Sequence, residues 1–343
     1  MEANVIRKMP FAFALVVLLV TTAAIAQTPP AAPSFAGKTV ILKIGWPPGS
    51  GNHTIGRLVA DHIGQHIPGQ PKVIAQNQPG AATFALANYM YNIAPKDGTV
   101  LGYISQTAAT EELVGNPAIQ FKTAEFGWLG RVTSYNMVHV TWHTSKVRNI
   151  ADALSHETTA GADAAGSTTY NYPFLMHKVL GSKFKMVTGY PGTAATALAM
   201  ERGEVDGIST GWFTIKSVRK NWLDEKKINV LVQFLRERHA DLPDVPTIVD
   251  LARTAEERQL FEMFASEGEI GKAILVPPGV PEPTLDVLRD AFMKMTKDPA
   301  FVADAERVQV ELAPMPGDKL QKLIASTTGT PMKTVSWAKS IFK

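Results

Sequence analysis

The chain has 343 residues, 34 basic against 31 acidic side chains, and no cysteine. Its length predicts about two domains, each able to bury its own core. Without cysteine, disulfides, thiolate metal sites and thiol chemistry are excluded. A formal charge of +3 with no basic arm leaves nucleic-acid binding without an electrostatic footprint.

The N-terminus reads differently from the rest. Arg7 and Lys8 precede an apolar run over residues 11–20, and Ala24, Ile25 and Ala26 place small residues where a signal peptidase reads. Residues 1–26 are therefore expected to be a secretory signal peptide, followed by a Pro/Ala linker over 27–36. The apolar run is shorter than the roughly 20 residues of a spanning helix. No cysteine follows it to carry a lipid.

From residue 38 onward, β-branched runs alternate with amphipathic helical patterns. Strands are predicted at 39–45, 72–76 and 99–104, with helices at 51–67 and 82–91 between them. Ile55, Leu58, Val59 and His62 make one apolar helical face. Further strands are predicted at 137–141, 158–162, 184–188, 205–209, 228–234 and 270–276, with helices at 168–180 and 193–202. From Pro283 the pattern is helical, with Pro299 opening a helix after Asp298. Repeated strand, turn and helix units predict an α/β fold of two lobes, each a mainly parallel sheet flanked by helices. The expected division is 37–135 plus 270–343 against 136–269.

In such sheets ligands bind beyond the carboxyl ends of strands, so the loops there matter most. The first holds Trp46, Pro47, Pro48, Gly49, Ser50, Gly51, Asn52 and His53, where glycines admit close backbone approach and a helix start offers N–H groups to an anion. Asn77, Gln78, Pro79, Gly80 and Ala81 form a second such turn. Gly166 with Ser167, Thr168 and Thr169 forms a third, and Tyr190 to Thr193 a fourth. Each alone is only a turn before a helix; four together favour a polar, anion-accepting cleft.

The order of these motifs resembles that of the Bug-type extracytoplasmic solute receptors of tripartite tricarboxylate transporters. The aromatic-Pro-Gly-rich opening at Trp46 with Arg57 following, the Asn-x-Pro-Gly-Ala turn at Asn77, and the Pro-x-Asp-Gly-x-Thr-Leu entry, which stands as Pro95-Lys96-Asp97-Gly98-Thr99-Val100-Leu101, match the family's order. So do Tyr190-Pro191-Gly192-Thr193, Gly203-Glu204-Val205-Asp206, Pro243-Asp244-Val245-Pro246-Thr247 and Pro277-Pro278-Gly279-Val280-Pro281. Three positions depart from the pattern: His53 stands where the family has Asp, and Ala82 with Thr83 replaces a glycine pair. The resemblance implies a type II-like periplasmic binding fold that closes on a small carboxylate and hands it to one large and one small membrane subunit. It implies a periplasmic monomer with no cofactor, no metal and no catalytic residue.

The ligand-binding residues expected on these grounds are Trp46, Pro48, Gly49, Ser50, Gly51, Asn52, His53, Ala81, Gln106, Ser167, Thr168, Thr169, Tyr190, Thr193 and Thr210. The anion is expected between residues 50–53 and 167–169, held by helix N-termini and hydroxyls without an arginine clamp, because a buried cation would need full pairing. Two other readings stand beside this one. Gly207-Ile208-Ser209-Thr210-Gly211 matches the nucleophile elbow of a secreted serine hydrolase, although His239, the sole histidine downstream, leaves little room for that fold's remaining strands. A solute sensor for a signalling system is the other. The pairs His62/His66 and His139/His143 have the spacing of metal ligands but no third partner nearby, so structural roles are expected.

Overall fold

The computed structural model describes residues 1–2, 33–49, 51–163 and 167–342. Residues 3–26 of the expected signal peptide and 27–32 of the linker lie outside these residues, as do Ser50 and Gly166. In chain order the first elements are β1 (Thr39–Ile44), α1 (Gly51–Ile63), β2 (Lys72–Asn77), α2 (Phe84–Asn92), β3 (Val100–Tyr103), α3 (Ala108–Val114) and β4 (Gly127–Thr133). Next come β5 (Met137–Trp142), α4 (Ile150–Ser155), β6 (Thr158–Gly161), α5 (Thr168–Leu175), β7 (Phe184–Val187) and α6 (Thr193–Glu201). They are followed by β8 (Gly207–Gly211), α7 (Trp212–Val218), α8 (Lys220–Asp224), β9 (Ile228–Gln233) and α9 (Ala255–Ile270). The chain then returns through β10 (Lys272–Val276), α10 (Glu282–Met295), α11 (Pro299–Arg307), β11 (Met315–Pro316), α12 (Gly317–Thr328) and α13 (Met332–Ile341).

Two sheets result, in the orders β11-β4-β10-β3-β1-β2 and β7-β6-β8-β5-β9. The α/β expectation holds, but both sheets are mixed. The pairs joined through βα units, β1 with β2 and β3 and β6 with β7 and β8, are parallel. The pairs made by β10 and β5, which enter from the other sheet's side of the chain, are antiparallel. Local periodicity marks a strand but not its direction, which follows from where the chain re-enters.

Each sheet has its own core. Val40, Leu42 and Ile44 of β1 pack with Ile55, Leu58 and Val59 of α1 and with Leu288 and Phe292 of α10. Around the second sheet, Leu231 and Val232 pack with Tyr172 and Leu175 of α5 and Leu260, Phe261 and Phe264 of α9. Ala338 and Ile341 of α13 join this second core, while α13 also rests on α3. Among the described residues no helix is long and apolar enough to cross a membrane.

Strand β4 and helix α9 escaped the sequence reading, as did the shorter α3, α4 and β11. Strand β4 contains Gly127 and Gly130, which interrupt the apolar alternation, and its pairing with β10 shifts register twice. Helix α9 carried a usable signal: Thr254 accepts from the Glu257 N–H at 3.1 Å, the N-cap half of a Thr-x-x-Glu pattern. Its Glu267 is buried where α9 meets α3 and α5. Thr110 donates to that carboxyl, and the Tyr172 hydroxyl donates at 2.8 Å. Burial pushes the Glu267 carboxyl up to about 8, reinforced by the charge of Glu111 and opposed by the two hydroxyl donors.

Candidate ligand cleft

Two chain crossings between the sheets form the floor of a cleft. Residues 134–136 join β4 to β5, and Gly271 joins α9 to β10. The crossings are tied together, since the Tyr135 N–H donates to the Gly268 carbonyl at 2.9 Å. Gly271 has a φ of +58°, and a Cβ there would lie 2.2 Å from the Thr133 carbonyl oxygen, so only glycine makes this turn. The turn sets Lys272 at the mouth of β10.

The cavity above this floor has a volume of about 400 Å³, within the range of small-molecule sites. Gly51, Asn52 and Thr54 line it from α1, Tyr135, Asn136 and Lys272 from the crossings, and Trp212, Phe213 and Thr214 from α7. At its rim Lys216 pairs with Asp241 at 2.6 Å and with Glu311 at 3.3 Å, which links α7 to the segment after α11.

Lys272 is the residue that the sequence reading missed. It is 6% exposed, and burial pushes its ammonium down to about 7. Its Nζ donates to Gln106 Oε1 at 3.2 Å and sits 4.0 Å from the Tyr135 ring centre and 5.8 Å from that of Trp46. Among the described residues no carboxylate pairs with it. The available signal was a lysine opening an otherwise apolar strand, Lys-Ala-Ile-Leu-Val. The sequence reading expected hydroxyls and helix N-termini without an arginine clamp; among the described residues no arginine lines the cavity, but a lysine does, held by aromatic faces and one amide oxygen in place of a carboxylate.

Around Lys272 the structure assembles several predicted residues. Trp46 packs on Tyr103 with ring centres 4.6 Å apart, and the Tyr103 hydroxyl donates to Asn52 Oδ1 at 3.0 Å. Burial raises the Tyr103 and Tyr135 hydroxyls, the latter to about 12, so both stay protonated. Asn77 Nδ2 lies 2.6 Å from the Trp46 carbonyl and 3.0 Å from His53 Nδ1, which fastens the first loop to β2. Gly51, Asn52 and Thr193 line the cavity directly. Pro48 and Gly49 are exposed in the loop before α1.

Other predicted residues are engaged elsewhere. Ser167 caps α5, accepting from the Tyr170 N–H at 3.3 Å, and shares a 2.8 Å hydrogen bond with Thr169. Thr169 Oγ1 also accepts from the Asp163 N–H at 3.1 Å. Among the described residues, Ser167, Thr168 and Thr169 are not in the lining of the cavity. Tyr190 packs against the apolar cluster around Trp212, and Thr210 is buried in β8 beside Gly211, which does line the cavity.

Ala81, Ala82 and Thr83 follow Gly80 with φ of 44°, 53° and 81°, three consecutive left-handed residues, the last two standing in place of the glycine pair of the family pattern. Thr83 is held there because its hydroxyl accepts from the Ser105 N–H at 2.8 Å and its side chain fills the space beside Gly45. Ala82 is exposed and has no such return. Ala82→Gly is expected to raise stability by about 1 kcal/mol, read as a higher urea midpoint at unchanged slope.

The nucleophile-elbow reading is corrected as well. Ser209 lies inside β8, opposite His139 of β5, and both are wholly buried. Its Oγ is 2.9 Å from His139 Nδ1, and burial pushes that imidazole down to about 3. His239 lies apart, at the cleft. The serine is a strand residue with no path to a substrate. His62 and His66 face Asp304 and Asp298 at 2.9 and 3.0 Å. Among the described residues no group of three or more His, Asp or Glu is placed to hold a metal ion.

A cleft between two mixed α/β sheets, floored by paired crossings, defines a two-lobed solute-binding protein. The family model of the tripartite tricarboxylate transporter family receptor matches residues 55–335, and the chain belongs to that family. Its members are periplasmic receptors. Among solved structures it is similar to a TctC solute-binding protein from Polaromonas without ligand (TM-score 0.67, 17% identity, covering 90% of this chain and 99% of that one). It is also similar to a Rhodopseudomonas palustris protein with adipate (TM-score 0.64, 17% identity, 88% and 97% covered). MatC from the same organism, with bound malate, is a third such structure (TM-score 0.62, 16% identity, 89% and 99% covered). No curated protein matches the sequence.

Proposed function

We propose that the protein captures a small organic carboxylate in this cleft and delivers it to the large and small membrane subunits of a tripartite transporter, without chemical turnover. The observation that carries the reading is Lys272: a buried ammonium, lining a ligand-sized cavity, with no carboxylate of its own. A buried charge left unpaired is costly, and an incoming carboxylate removes that cost. The start of α1 adds N–H groups, with no acidic residue in its first turn to compete. Malate and adipate in two similar structures fit this class of ligand. The lobe division that goes with the reading is 37–135 plus 270–343 against 136–269, and export by the N-terminal leader places the protein in the periplasm, as a monomer.

A thermal-shift screen of organic acids tests it. Binding to the native state alone adds RT ln(1 + [L]/Kd), so a ligand raises the melting temperature with its concentration. Silence across mono-, di- and tricarboxylates overturns the reading. For an acid that does bind, Gly51→Val is expected to weaken affinity tenfold or more, about 1.4 kcal/mol. A Cβ at Gly51 meets nothing within 4 Å in the fold, so the substitution adds bulk at a cavity-lining position without a clash in the folded chain.

A further inference from the structure

One ion pair crosses the mouth of the cleft. Ser217 and Val218 of α7 flank the cavity on one side, and residues 308–311 flank it on the other. Helix α7 belongs to the core of the second sheet through Trp212 and Ile215, whereas Val308 and Val310 pack on the core of the first. Lys216 Nζ lies 2.6 Å from Asp241 Oδ2 and 3.3 Å from Glu311 Oε2, so one ammonium joins carboxylates from both sides.

Both partners are fixed before they meet. Asp241 Oδ2 also accepts from the Trp212 indole N–H at 2.9 Å, which anchors the lysine on the α7 side. Glu311 follows a Schellman turn that ends α11. There Gln309 has a φ of +57° and its N–H donates to the Glu306 carbonyl at 2.9 Å, while the Val310 N–H donates to the Ala305 carbonyl at 2.8 Å. The Ala313 N–H then donates to the Val132 carbonyl at 3.1 Å and ties the segment to β4. What usually cancels a surface ion pair is the cost of ordering two long side chains. Asp241 has already ordered the lysine, so closing the mouth orders little more. The side chains of Lys216 and Glu311 keep 32% and 44% exposure, so water replaces the bond when they part.

We propose that Lys216 and Glu311 form a latch across the cleft mouth, which holds the two sides together over the cavity and releases reversibly into water. An exposed pair is screened by salt and contributes a modest factor, so the latch slows opening without locking the cleft. It concerns the unliganded chain and is independent of which ligand the cleft takes.

The chain has no cysteine, so spin labels attach only at the introduced sites of an Ile93→Cys, Leu198→Cys background. Both positions are exposed, one after α2 on the first sheet and one in α6 on the second. In Glu311→Gln the label–label distances are expected to lengthen at low ionic strength, with the separated population raised roughly twofold to fivefold. High salt is expected to produce the same shift in the parent and none further in the variant. Lys216→Met should match Glu311→Gln, and combining the two should add nothing. Unchanged distances in a cooperatively folded Glu311→Gln overturn the latch; that is also the result if Lys216 served only to capture a ligand anion. A salt response that survives in the variant overturns it as well. No ligand enters the measurement, so its failure leaves the carboxylate reading standing, and silence in the thermal-shift screen leaves the latch standing.

Discussion

Lys272→Met is expected to abolish carboxylate binding while making the unliganded protein more stable. The two effects have one cause. Burial pushes the ammonium from its usual 10.5 down to about 7 without a carboxylate to offset it. Methionine keeps an unbranched stem of similar length and removes the charge. Replacing buried charge by apolar side chains of similar volume commonly stabilises by about 1–4 kcal/mol. The pH dependence separates this from ordinary repacking. An unfolded lysine holds its proton to about 10.5, while the folded one releases it near 7, so the unfolded state binds more protons between those values. Wild-type stability therefore rises across that window, and below pH 7 the destabilisation is complete. The groups facing Nζ do not titrate within it: Gln106 and Trp46 carry no charge, and burial holds the Tyr135 hydroxyl up to about 12. Urea unfolding at pH 6 should show the variant as the more stable protein, and at pH 10 the difference should have shrunk. A variant that is less stable at pH 6, or a gap that ignores pH, would show that Lys272 is a structural residue.

Glu267→Gln is expected to alter the pH dependence in the opposite sense. The folded carboxyl stays protonated up to about 8, against 4.5 for an ordinary glutamate, because burial where α9 meets α3 disfavours its charge. Between those values the folded state holds a proton that the unfolded chain has lost. The contribution of Glu267 is then fully present below pH 4.5 and is lost as pH rises through 8. Glutamine has no proton to hold; its single Oε1 accepts from one of the two hydroxyls, and its Nε2 donates to the other's oxygen. Wild type should lose a few kcal/mol relative to the variant between pH 4.5 and 8, at about 1.4 kcal/mol for each pH unit crossed. Unfolding curves of the two proteins at pH 4.5, 6 and 8 measure it. Parallel stability profiles would mean that Glu267 is ionised in the folded protein. Glu111, also raised by burial and hydrogen-bonded to Asn116 at 2.8 Å, is common to both proteins.

Much of the fold was legible in the sequence because it rests on local chemistry. The apolar alternation of β1 and the spacing of Ile55, Leu58 and Val59 each encode an element and its buried face. Asp298 before Pro299 marks the start of α11, where its side chain accepts from the Ala300 N–H at 2.8 Å. The ordered turns from Trp46 to Pro281 carry the family pattern, and the match over residues 55–335 agrees with it. Of the residues expected at the cleft, Gly51, Asn52 and Thr193 line the cavity and Trp46 and Gln106 lie against Lys272; each sits in or beside a turn that ends a strand or opens a helix.

What only the tertiary structure decided is how distant segments meet. Strand direction was not readable: β10 lies antiparallel between β3 and β4 because the chain returns to the first sheet through α9 and Gly271. That return turns Lys272 inward to Gln106, Trp46 and Tyr135, residues 166, 226 and 137 positions away in sequence. Nothing near Lys272 in the chain distinguishes it from a solvated lysine at the start of a strand. The same holds for Ser209, whose Gly-x-Ser-x-Gly setting describes an exposed elbow while β5 pairing buries it against His139. Hydrophobic periodicity and turn chemistry are properties of neighbours along the chain. The charge state and availability of a polar group depend instead on which remote surfaces take water away from it, and those are set when the two sheets and their crossings come together.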